Sequence, residues 1–157
     1  MHLRDAMRDI LAQVSQNLGT KLQLDDKGVC SMVDGKGTEF ALEIPESGEW
    51  VLLHAEVTDV PEEDREEFLE RVLVLSAYGQ QTHGCTLGLD MDTDSIVISQ
   101  SRPVEMQIDG TGLVNLIGHF LDAVRKVRET LAADESPETD ADAISAPSFP
   151  PESSLRV

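Results

Sequence analysis

The sequence predicts an α+β fold: a single domain in which a helix, an antiparallel strand meander, a second helix, a β-hairpin and a third helix follow one another. Three observations carry that expectation. Apolar residues recur at helical spacing in three separate segments, period-two alternation punctuated by Asp- and Gly-rich turns fills the stretches between them, and the composition changes abruptly after residue 131. A length of 157 residues suits one domain with an appendage. Hydrophobic residues make up 40% of the chain but aromatics only 4%, so the core must be aliphatic.

Residues 3–18 place Leu3, Met7, Ile10, Leu11, Val14 and Leu18 on one face, and Gly19 stands where a helix ends. Leu22 and Leu24 then alternate with polar residues, which predicts a first strand ahead of the turn Asp25-Asp26-Lys27-Gly28. Residues 29–33 form the next predicted strand and Asp34-Gly35-Lys36-Gly37 the next turn. In residues 38–44, Phe40, Leu42 and Ile44 alternate with Glu39, Ala41 and Glu43. Pro45-Glu46-Ser47-Gly48 breaks the run before a further strand over residues 50–57. Turns this short join neighbours in an antiparallel meander.

A second helix is predicted over residues 62–79, with Pro61 ahead of it and Glu62, Glu63 and Asp64 in the first turn, where the helix dipole favours negative charge. Its stripe is Phe68, Leu69, Val72, Leu73, Leu75 and Tyr78, and Val74 widens it enough to suit a subunit interface. Residues 85–90 and 95–100 read as a hairpin closed by Met91-Asp92-Thr93-Asp94. Asp109 is placed to cap a third helix whose stripe is Leu113, Leu116, Ile117, Phe120, Leu121, Val124, Val127 and Leu131. The folded unit is thus expected to span residues 1–131. Residues 132–157 hold four of the seven prolines and too few large apolar side chains to offset their ordering entropy, which predicts a disordered acidic tail.

Charge narrows the partners. The chain carries 30 acidic and 12 basic residues, a net −18; six of those acids and one base lie in the tail, leaving −13 on the folded unit. Nucleic acid and anionic membrane surfaces would be repelled. Two cysteines make no disulfide scaffold, and neither a signal peptide nor a membrane-length apolar run is present, which predicts a soluble, reduced, cytoplasmic protein.

Motifs for chemistry fail on spacing. From Asp90, a calcium loop would need Gly and Glu at its sixth and twelfth positions, where Ser95 and Ser101 stand. His83 and Cys85 have no second pair to complete a zinc site, and His54 and His119 have no partner ligand nearby. Gly35-Lys36-Gly37-Thr38 resembles part of a phosphate loop, but Cys30 occupies the first glycine position and no helix follows. Gly110-Thr111-Gly112 reads as a helix entry, and Cys30, on an apolar strand, as a small hydrophobe. No catalytic residues, metal or cofactor are expected, and the residues point to a binding domain rather than an enzyme.

Element order, small size and low pI together resemble the class I type III secretion chaperones, the Tir chaperone (CesT-like) family. The resemblance covers residues 3–131. It is carried by Leu22-Gln23-Leu24-Asp25-Asp26-Lys27-Gly28-Val29-Cys30-Ser31-Met32, by Leu87-Gly88-Leu89-Asp90 followed by Ser95-Ile96-Val97-Ile98, and by the acid-capped helix over residues 109–131. It implies a cytoplasmic homodimer of a Gram-negative bacterium that binds the N-terminal segment of a secreted effector in extended form, with the secretion-apparatus ATPase as an optional further partner. It also places the effector groove between the first helix and the sheet, on Ile10, Val14, Leu24, Val29, Met32, Phe40 and Leu42. The dimer contact falls on the second helix and the hairpin: Leu75, Tyr78, Leu87, Leu89 and Ile96. The acidic charge would keep such a complex soluble and favour basic or polar leaders. The competing expectations are a regulatory adaptor of the same fold and, distantly, a metal-dependent enzyme using His83, Asp90, Asp92 and Asp94.

Overall fold

The computed structural model describes residues 3–19, 21–103 and 109–133. In chain order these form α1 (Leu3–Leu18), β1 (Val29–Val33), β2 (Glu39–Glu43), β3 (Trp50–Asp59), α2 (Arg65–Ser76) with a 3-10 turn over Ala77–Gly79, β4 (Thr86–Asp90), β5 (Ser95–Pro103) and α3 (Gly110–Ala133). One five-stranded antiparallel sheet has the order β1-β2-β3-β5-β4.

Alternation along the strands puts the core on one face of the sheet. Cys30, Met32, Phe40, Leu42, Val51, Leu53, Ala55, Ile96 and Ile98 are buried, and they join residues of all three helices in one apolar cluster. Phe120 of α3, fully enclosed, meets Phe40 with ring centroids 6.4 Å apart. The alternate residues Ser31, Glu39 and Glu56 are exposed on the opposite face.

Two predicted features differ. Leu22 and Leu24 form no strand: residues 21–24 run as an extended link. Ser15 Oγ accepts the Leu22 N–H at 2.8 Å and itself donates to the Leu11 carbonyl at 2.7 Å, tying the link to α1. Period-two alternation is satisfied here because Leu24 drops into the core without a pairing strand. The second helix begins at Arg65 instead of residue 62, because Asp64 adopts a left-handed backbone (φ 53°) that helical geometry cannot continue. Glu66 and Glu67 therefore hold the first turn in place of Glu62 and Glu63. Arg65 forms a bidentate pair with Asp94 at 2.7 Å for both contacts, clasping the start of α2 to the β4–β5 turn.

Asp109 does cap α3. Its Oδ1 accepts the Gly112 N–H at 2.7 Å and its carbonyl the Leu113 N–H at 3.0 Å. Asp109→Ala should cost about 1 kcal/mol, a fall of roughly 2–4 °C in melting temperature for a chain of this size; no measurable fall would reject the cap. The helix reaches Ala133, two residues into the predicted tail, and residues 134–157 lie outside the described residues.

Candidate functional site

α1 is tethered to the sheet by one arginine. Arg4 donates to the Ile44 carbonyl (3.1 and 3.0 Å) and to the Lys27 carbonyl (2.9 Å). Gly28 makes this approach possible: its φ is +88°, and a Cβ there would lie 2.5 Å from the Ile44 oxygen and 2.9 Å from Arg4 Nε. The β1–β2 hairpin is closed by Asp34, whose Oδ1 accepts the N–H groups of Lys36 and Thr38, each at 2.8 Å. Its Oδ2 meets Arg125 of α3 at 3.3 Å. The Thr38 N–H foremost, then the Lys36 N–H and the Arg125 guanidinium, hold the Asp34 carboxyl below its ordinary range despite partial desolvation.

The hydrogen bonds at both ends of this hairpin fix the phase of its ladder. Asp34 N donates to Thr38 O (3.0 Å) and Ile44 N to Gly28 O (2.8 Å), so the even residues of β1 bond to β2. Ser31 and Val33 consequently aim their N–H and C=O groups away from the sheet, on an edge that no other strand covers. By the same phase, the odd residues of β2 bond toward β3. That second ladder comprises only Ala41–His54, Leu42–Leu53 and Glu43–Leu52. Glu39 and Phe40 lie beyond the end of that ladder, as do Ala55 and Glu56 on β3. Arg128 of α3 reaches this part of β3, donating to the Glu56 carbonyl at 2.6 Å and to the Val57 carbonyl at 3.1 Å.

A groove of about 950 Å³ opens here. Val14 of α1, Leu22 of the link, and Val114, Ile117 and Leu121 of α3 form one wall; Met32, Phe40 and Ala55 form the floor; and Lys21, Asp34, Glu39, His54 and Glu56 supply the polar rim. His54 Nε2 lies 3.9 Å from Glu43 Oε2. Of the residues expected in a groove, Val14, Met32 and Phe40 line this one. Leu24 and Leu42 are instead buried in the core, while Ile10 and Val29 are half-buried outside the lining. A buried stripe marks which side chains face inward, not which of them border a cavity. Sequence reasoning missed Val33 and Val114, exposed at 64% and 44%. Val114 lies off the buried stripe of its helix, a signal that was there to be used.

At the other end of the sheet, α2 packs beside β4. Leu75 and Ile96, expected at a subunit contact, are almost wholly buried within the subunit's own core, and Leu87 is half-buried against it. Tyr78 and Leu89 are exposed, and Leu73, Val74 and Met91 join them. Tyr78, with φ 62° and 98% exposure, projects into solvent.

Nothing in the described residues assembles a catalytic or metal centre. Asp94 commits both oxygens to Arg65, Asp90 accepts the Asp92 N–H in a hairpin turn, and no three His, Cys, Asp or Glu side chains converge among the described residues. Burial raises the thiol pKa of Cys30 and Cys85, the opposite of a nucleophile's need. No helix among the described residues is long and apolar enough to cross a membrane.

What the fold and the groove define is a small α+β binding domain with an uncovered strand edge beside an apolar channel. Residues 9–128 match the model of the Tir chaperone protein (CesT) family, and the chain belongs to that family. Its fold is that of type III secretion chaperones, and the family is one of chaperones, not enzymes. The chain is similar to a solved chain of the ExsC–ExsE complex (TM-score 0.70, 19% identity, 83% of this chain and 97% of that one). It is also similar to one from the HopA1–SchA chaperone–effector complex (TM-score 0.62, 22% identity, 80% and 95%). A third is from the heterodimeric ExoU–SpcU complex of the Pseudomonas aeruginosa type III secretion system (TM-score 0.58, 17% identity, 79% and 95%). At these identities the likeness is one of fold. No curated protein sequence matches the chain.

Proposed function

We propose that this protein is a cytoplasmic, homodimeric type III secretion chaperone that holds the N-terminal segment of a secreted effector extended, soluble and competent for export. The observation that carries the reading is the uncovered β1 edge, with Ser31 and Val33 presenting outward backbone groups, beside an apolar groove. A non-globular segment can pair with such an edge as an added strand and lower alternate side chains into the groove. The match to the family and the chaperone–effector neighbours support the same reading. Holding a segment this way needs no nucleotide hydrolysis, and handover to the secretion ATPase belongs to the same scheme.

In this reading the second subunit covers Leu73, Val74, Tyr78, Leu89 and Met91, which otherwise leave an apolar surface in water. Tyr78→Asp with Val74→Asp should convert a dimer to a monomer in sedimentation velocity while leaving the melting curve of the subunit intact; an unchanged dimer rejects this surface.

The function itself is tested by co-expressing the full chain with N-terminal segments of candidate secreted proteins. A segment insoluble alone should become soluble in a stoichiometric complex and stay protease-sensitive outside its contact. Failure of every segment to be solubilised overturns the proposal. A partner bound only when folded would favour the adaptor.

A further inference from the structure

The residues that follow α3 divide sharply by charge. Residues 134–142 hold five acids and no base, whereas residues 143–157 hold one of each, Glu152 and Arg156, and carry Ile144, Phe149 and Leu155. Phe149 is one of four phenylalanines in the chain, and the other three, Phe40, Phe68 and Phe120, are all buried. Charge also differs along α3. Near its end, Thr130 and Leu131 stand beside Glu67 and Glu70 of α2, which repel an acidic stretch. Further back, Lys126 and Lys36 are exposed, and neither forms an ion pair among the described residues. Arg125 foremost, then His119 and Lys36, hold the Asp122 carboxyl below its ordinary range, so Lys36 of the β1–β2 turn stands beside α3. Lys126, one turn on from Asp122, continues that basic line toward the helix end. In the other direction the line meets the groove, where Val114 is exposed and Lys21 joins the rim. Asp34 is already matched there by Arg125 and two backbone N–H groups.

We propose that residues 143–157 occupy the groove of their own subunit, with Phe149 seated among Val14, Met32, Phe40, Val114 and Leu121, and that a client displaces them. This rests on the reading of the groove as the site for an extended client. Reach and charge both favour it. From Leu121, at the groove, to the end of α3 at Ala133 is twelve helical residues, ~18 Å. The nine residues of the acidic stretch can span up to ~30 Å, enough to return over Lys36 and Lys126. The neutral stretch then meets an apolar surface without adding charge to an acidic body. Pro147, Pro150 and Pro151 flank Phe149 and have no N–H to give, so this stretch cannot ladder along β1. It fills the groove but leaves the outward backbone groups of Ser31 and Val33 unmet. A client that takes both the edge and the groove holds more, and displacement asks nothing of the walls.

The test places a spin label on Ser148→Cys in the full chain, whose own Cys30 and Cys85 are buried away from the reagent. In the nuclear magnetic resonance spectrum the label should broaden the amide signals of Met32 and Val114 and leave those of Val74 and Leu89 sharp. Adding Phe149→Ser should restore the sharp signals. Broadening at Val74 and Leu89 instead would seat the stretch on α2 and β4, and no broadening anywhere would leave it unseated; either result overturns the inference. Mixing isotope-labelled chain that lacks the probe with unlabelled chain that carries it should broaden nothing; broadening there would make the occupant a second copy and overturn the inference as stated. Competition is read separately with a fluorescent peptide of alternating leucine and serine, about twelve residues long, enough to run along a strand edge at ~3.3 Å per residue. The full chain carrying Ile144→Ser/Phe149→Ser should bind it about fivefold more tightly than the native chain, because an intramolecular competitor is removed. Equal affinity would overturn the displacement. If the peptide binds neither chain, the reading of the groove as a client site fails, while the label still decides whether residues 143–157 sit there.

Discussion

Phe120→Ala should lower stability by about 3–5 kcal/mol, which for a chain of this size is a fall in melting temperature on the order of 10 °C. Phe120 is fully enclosed, packs against Phe40 across the interface between α3 and the sheet, and belongs to a core with few aromatic rings. Its neighbours Leu113, Val124 and Val127 are held on a helix already fixed at the sheet by Arg125 and Arg128, so they have little freedom to collapse into the vacated volume. Thermal unfolding followed by circular dichroism reads the effect. A loss of under about 1 kcal/mol would mean that α3 does not seat on the sheet through this ring.

The second large effect is on binding alone. Ser31→Pro should weaken capture of an N-terminal segment of a secreted protein at least tenfold while moving the melting temperature by only about 2 °C. Proline removes an N–H, and the ladder phase shows that the Ser31 N–H points outward, away from β2. An edge strand tolerates proline at such a position, since no internal hydrogen bond is broken. An added strand, by contrast, would lose a donor and meet the pyrrolidine ring. Unchanged affinity in a folded variant would rule out strand addition at β1, and a collapsed melting curve would show that Ser31 bonds inward.

Much of the architecture was legible from periodicity. The stripes of α1 and α3, the Asp109 cap, the Asp34 and Asp90 turns and the alternation through β2 and β3 all follow from local sequence. Leu22 and Leu24 misled because two alternating leucines satisfy a strand and a buried link equally well. The start of α2 misled because acids suited to a first turn stand just ahead of Asp64, whose left-handed backbone no local pattern announces, next to an arginine paired with a carboxylate twenty-nine residues away. The groove was only partly legible for the same reason of distance. Val14, Met32 and Phe40, apolar in pattern, border the cavity. Arg128 meets β3 beside the groove from seventy-one and seventy-two residues away, a contact that no local pattern announces.

Arg128 also has a kinetic implication. With its guanidinium on two main-chain oxygens of β3, the subunit's own contacts hold α3 against the strand beside the groove before any guest arrives. The host then has little left to rearrange, and the loss of freedom at encounter falls on the guest. Different guests should accordingly arrive at similar rates and be sorted mainly by how long they stay.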